Sequence, residues 1–112
     1  MCPKSDYLER RYHLRVHLGV PVRAHYAGEV RTLTLELANA SPTGCYFKTD
    51  GPRPRLGQWV AFGFVATNRS VCTAGGRAVR IDDAGFAVKF ERINQALHTF
   101  LVDNSIPMVF AA

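Results

Sequence analysis

From Val16 onward, hydrophobic and polar residues alternate. Val16, Leu18, Val20 and Val22 share one parity and His17, Gly19, Pro21 and Arg23 the other. This period of two predicts a half-buried strand running to about Tyr26. Ala27-Gly28-Glu29 reads as a tight turn. In the second strand Val30, Leu33, Leu35 and Leu37 supply the apolar positions around Thr32, Thr34 and Glu36. Asn39 to Gly44 is a loop by composition, Cys45 to Lys48 a short third strand, and Asp50 to Gly57 a loop rich in glycine and proline. Gln58 to Ala66 predicts a fourth strand, with Trp59, Phe62 and Phe64 read as core. Ser70 to Ile81 predicts a fifth, bulged at Gly75-Gly76. Asp82 to Gly85 is a hairpin turn, read as a solvated tip, and Phe86 to Phe90 a sixth strand.

The period then changes. Ile93, Ala96, Leu97, Phe100 and Leu101 recur at i, i+3, i+4, i+7 and i+8, the apolar face of an amphipathic helix that Asn104 and Pro107 should end. Closely spaced strands joined by hairpins predict an all-β fold, a small antiparallel barrel whose closure removes exposed edges, with the C-terminal helix covering one open end. The expected organisation is a flexible N-terminal segment at 1–15, the barrel and helix at 16–104, and a tail at 105–112.

With 112 residues, 47% hydrophobic and 21% charged, the chain has the composition of one globular domain. No apolar run approaches a membrane span, and the polar first fifteen residues hold no signal core. These features predict a soluble, cytoplasmic protein without membrane insertion. Cys2, Cys45 and Cys72 form no C-x-x-C pair, and His13, His17, His25 and His98 show no ligand spacing with them, so neither a disulfide framework nor a metal site is expected. Sequence signatures of hydrolases, kinases and P-loop enzymes are absent, no catalytic residue is assigned, and no cofactor is called for.

The net charge of +5 comes from eleven arginines and three lysines against nine acidic residues. A basic balance weighted to arginine suits an anionic partner, since the guanidinium fork makes paired bonds to phosphate and guanine. Two local patterns give this charge a direction. Arg11-Tyr12-His13-Leu14-Arg15 is an R-x-x-x-R just ahead of the first strand, a spacing expected about once by chance in so arginine-rich a chain. Asn39-Ala40-Ser41-Pro42-Thr43-Gly44 is an N-x-S-x-x-G, expected by chance only ~0.03 times. As a plain turn, that segment would have Asn39 and Ser41 bonding their own backbone and Gly44 supplying a positive φ.

Together and in this order the two motifs resemble the PilZ family, the bacterial receptors for cyclic di-GMP. The later Gly76-Arg77-Ala78-Val79-Arg80-Ile81 and Gly85-Phe86-Ala87-Val88-Lys89-Phe90 look like that family's closing hairpin. The resemblance implies a six-stranded antiparallel barrel with a C-terminal helix, and a ligand-binding module rather than an enzyme. By motif position, Arg11 and Arg15 would clamp phosphate oxygens and guanine edges, Asn39 and Ser41 would bond a guanine from the barrel surface, and Gly44 would allow close approach. Position 39 is more often Asp in the family. Asn offers one acceptor oxygen where a carboxylate offers two. The resemblance further implies, through Arg10 just ahead of the R-x-x-x-R, a stacked pair of ligand molecules, whose crowded phosphodiesters need an extra cation. Arg77 and Arg80 alternate poorly with one ligand face and are left out of the site. An unidentified downstream protein would receive the signal. The alternatives are a non-binding PilZ-like adaptor acting through protein contacts, which usually lacks the arginine pair, and a small basic barrel binding single-stranded nucleic acid. The nucleic-acid reading is disfavoured because the aromatic residues read as core.

Overall fold

The computed structural model describes the backbone of residues 16–111 and the side chains of residues 16–103. Six strands close into an antiparallel barrel: β1 (Val16–Tyr26), β2 (Leu33–Ser41), β3 (Gly44–Lys48), β4 (Trp59–Val65), β5 (Val71–Ile81) and β6 (Gly85–Ile93). Around the barrel the order is β1-β2-β3-β6-β5-β4. Pairing of Arg23–Tyr26 with Val60–Gly63 joins β4 back to β1, so among the described strands no long edge is left to pair with another chain.

The inward parity of each strand fills the barrel. Val22, Ala24 and Tyr26 meet Leu35, Leu37, Phe47, Val60, Phe62, Phe64, Phe86 and Val88 there. Phe47 sits centrally, its ring 5.0 Å from that of Phe62 and 5.1 Å from that of Phe86. The helix α1 (Gln95–Ala111) closes one end: Leu97 and Leu101 are buried, and Phe100 meets Phe64 edge to face at 5.3 Å.

Several boundaries differ from the sequence expectation. Val30 is 98% exposed, in a turn that holds the chain until Leu33, the first residue of β2 to find a partner, Ala24. Ile93 ends β6 opposite Ala74 rather than starting the helix. The reason is Asn94, whose Oδ1 accepts from the backbone N–H groups of Leu97 (2.9 Å) and Thr73 (3.2 Å), capping α1 and tying it to β5. The helix runs through Asn104 and Pro107, where its end was expected. A proline inside a helix surrenders its own bond to the carbonyl four residues back, here that of Asp103, and need not stop the chain. The bulge expected at Gly75-Gly76 is present as a register shift.

Trp59 is a correction. Val60, Phe62 and Phe64 point inward, so Trp59 takes the outward parity of β4. Its indole lies over Gly75, where an added Cβ would come within 2.5 Å of Trp59 Cζ2. The guanidinium groups of Arg77 and Arg92 flank the ring, 5.6 and 5.8 Å from its centroid.

Candidate functional site

The segment Asn39–Gly44 is a hairpin, not an open loop. β2 continues through Ser41, β3 begins at Gly44, and only Pro42-Thr43 make the connection. The loop composition gives way because Ala40 fills an inward position opposite buried Cys45, which pulls the flanking residues into the ladder. Asn39 and Ser41 therefore share the outward parity, two residues apart. Ser41 is nevertheless 3% exposed. Its hydroxyl accepts from the Thr43 backbone N–H at 3.3 Å, donates to the Gly44 carbonyl at 3.4 Å and lies 3.1 Å from the Thr43 hydroxyl. The turn is also pinned to β6, where the Phe90 N–H donates to the Thr43 carbonyl at 2.9 Å.

Gly44 is not at positive φ, contrary to the turn expectation. The strand packing requires the glycine instead: an added Cβ would lie 2.6 Å from the Val88 carbonyl oxygen of β6. The site floor is low at Gly44 because two backbones meet there.

Register places two rows of residues across the outer face. His17, Asn39, Tyr46, Ala87 and Arg80 pair successively across β1, β2, β3, β6 and β5. Ser41, Gly44, Lys89, Arg77 and Trp59 pair successively across β2, β3, β6, β5 and β4. At ~4.8 Å between strands, Gly44 and Arg77 are about 10 Å apart. Gly44 and Ala87 form a small-residue floor between the Tyr46–Arg80 side and the Lys89–Arg77 side. Arg77 and Arg80 both face outward, which corrects the expectation that they alternate poorly with one face. A second irregularity in β5, between Ala78 and Arg80, leaves Val79 as an extra residue and reverses the parity beyond it. Lys89 enters no ion pair among the described residues, whereas Arg77 pairs with Glu91 at 3.1 Å and Arg80 with Asp82 at 3.8 Å.

Asp82, expected as part of a solvated tip, organises this face. It accepts the Tyr46 hydroxyl at 2.6 Å and the N–H groups of Ala84 (3.0 Å) and Gly85 (2.9 Å). The Tyr46 hydroxyl, with these backbone donors and Arg80, holds the Asp82 carboxyl below its ordinary value of 3.8. Partial burial, then the bond to Asp82, pushes the Tyr46 phenol up. Because the folded value of Asp82 is the lower one, its contribution is fully present above the ordinary carboxylate value and is lost as pH falls through the folded one. The near-UV circular dichroism of Tyr46, taken as parent minus Tyr46→Phe, should therefore hold from neutral pH to about pH 4 and decline below it. A signal already lost at pH 6 would show that the carboxylate does not hold the ring.

Arg10, Arg11 and Arg15 lie outside the described residues. The first described residue, Val16, pairs with Ala40, between Asn39 and Ser41. Among the described residues no three His, Cys, Asp or Glu side chains gather as a metal site, and no helix is long and apolar enough to cross a membrane.

The family model of the PilZ domain matches residues 9–104, a span that includes both motifs. No curated protein and no solved structure matches the chain.

Proposed function

Because the chain belongs to the PilZ domain family, we propose that it is a bacterial receptor for cyclic di-GMP, not an enzyme, and that it acts in the cytoplasm by passing the signal to a protein partner. The observation that supports this most is the pairing of Val16, the residue that follows the R-x-x-x-R in the sequence, with Ala40 inside the N-x-S-x-x-G hairpin. In this reading Arg11 and Arg15 close over the ligand and make bidentate bonds to phosphate oxygens and guanine edges. Asn39 offers one acceptor to a guanine edge, Ser41 holds the hairpin and lends its hydroxyl, and Gly44 keeps the floor low.

The proposal includes a stacked ligand pair. Two stacked cyclic dinucleotides bring four phosphodiester charges together, and Arg10 supplies a further cation against their repulsion. Calorimetric titration tests both levels. The parent should saturate at two molecules of cyclic di-GMP per chain, and Arg10→Leu should saturate at one. A parent that saturates at one ends the stacked pair and leaves the receptor; a parent that shows no heat of binding ends the receptor.

The engagement of the Ser41 hydroxyl inside its own hairpin favours a second reading, an adaptor that works through protein contacts alone. The same titration decides between them. The outward Trp59 beside Arg77 and Arg92 gives the nucleic-acid reading one stacking platform. Tracking a single strand takes several in succession.

A further inference from the structure

We infer that Tyr46 and Arg80 form a stacking platform for a guanine of the bound ligand, with Asp82 as the residue that positions it. This rests on the receptor reading and assigns two binding residues outside both sequence motifs.

The platform follows from the barrel register. Asn39, the residue offered to a guanine edge, is directly opposite Tyr46, and Tyr46 is opposite Ala87, which pairs with Arg80. Opposed outward side chains have Cβ atoms ~5 Å apart. Tyr46 lies between Asn39 and Ala87 in this row, so a purine stacked on the Tyr46–Arg80 pair would sit beside Asn39, with its edge within reach of that amide. Arg80 reaches this position only because Val79 is an extra residue in β5.

The pair is already assembled without ligand. The Arg80 guanidinium lies 5.6 Å from the Tyr46 ring centroid. Asp82 accepts the Tyr46 hydroxyl and pairs with Arg80 Nε, so one carboxylate orients both members. The Arg80 side chain is 66% exposed in that ion pair, so its guanidinium stays open to a ligand. Neither residue belongs to the core cluster. A guanidinium plane and a phenol ring both stack well on a purine, and such stacking is fixed by flat faces rather than by charge alone. Lys89, next to Ala87 along the outward parity of β6, is placed to meet the phosphodiester beside that base.

The test separates a flat face from a charge. Cyclic di-GMP is titrated calorimetrically into the parent, Arg80→Ala, Arg80→Lys, Tyr46→Leu and the neighbouring control Val79→Ala, each checked for its thermal midpoint. Stacking is worth enough that Arg80→Ala and Tyr46→Leu should each weaken binding about 10-fold. Arg80→Lys keeps the charge but not the plane and should bind as weakly as Arg80→Ala, while Val79→Ala should bind like the parent. Arg80→Lys binding like the parent would reduce Arg80 to a counter-charge and overturn the platform. Parent-like binding by Arg80→Ala or Tyr46→Leu would overturn it as well, while leaving the receptor intact. A parent that binds no cyclic di-GMP ends the receptor reading and the platform together.

Discussion

Arg15→Ala should weaken cyclic di-GMP binding about 10- to 100-fold, and Arg11→Ala by a similar factor, because each removes a charge-assisted bond worth roughly 1.5–3 kcal/mol. Stability should not follow affinity. Both arginines precede the first barrel residue, Val16, and the core cluster of the described residues is aliphatic and aromatic apart from Cys45 and Cys72. The two quantities can be read on the same samples, affinity by calorimetry and stability by urea denaturation. Loss of binding with an unchanged denaturation midpoint is the expected result. Parent-like affinity in both variants would remove the arginine clamp and favour the adaptor. Amide exchange gives a companion measurement. Residues Arg10–Arg15 should exchange more slowly once ligand is added, since a polar segment that closes over an anion becomes ordered on binding.

Gly44→Val should damage folding itself, by about 3 kcal/mol. The cause is the close approach of β3 and β6. A Cβ at position 44 would lie 2.6 Å from the Val88 carbonyl oxygen, and that partner is backbone, which cannot rotate aside. The strands would have to separate where the Phe90 N–H bonds the Thr43 carbonyl, so the hairpin carrying Asn39 and Ser41 would shift with them. Gly44→Ala meets the same oxygen with its single Cβ and should lose part of that stability. Binding should fall in both variants, further in Gly44→Val. If Gly44→Val unfolds at the same urea concentration as the parent, the close approach does not constrain this position, and the glycine matters for ligand access alone.

These two predictions draw on different levels of information. The arginine pair could be found in the chain because R-x-x-x-R is a local pattern, and its meaning came from the N-x-S-x-x-G that follows at the right place. The strands from Val16 to Phe90 were legible because a barrel has one apolar side, and a period-two pattern records which residues face it. The helix was legible from its change of period, through Leu97 and Leu101, which are buried as that spacing requires.

The tertiary structure decided whatever depended on pairing between distant segments. Asn39 to Gly44 has the composition of a loop, but opposition of Ala40 to Cys45 draws it into a ladder. Gly44 looked like a turn glycine, whereas the constraint comes from a backbone that lies 44 residues later in the chain, at Val88. Trp59 sat in an apolar run and was read with Phe62 and Phe64, although its odd parity put it outside. Arg77 and Arg80 were set aside on parity, and one extra residue at Val79 reversed that parity. Asp82 could not be linked to Tyr46 from the sequence, because their hydrogen bond spans two strands and 36 positions. The chain by itself determined the alternation, the helix period and the two motifs, which are all short-range properties of covalent order. Register, bulges and the close approach of strands were left to the folded barrel, because a hydrogen-bonded ladder is set by the whole closed sheet rather than by any one strand.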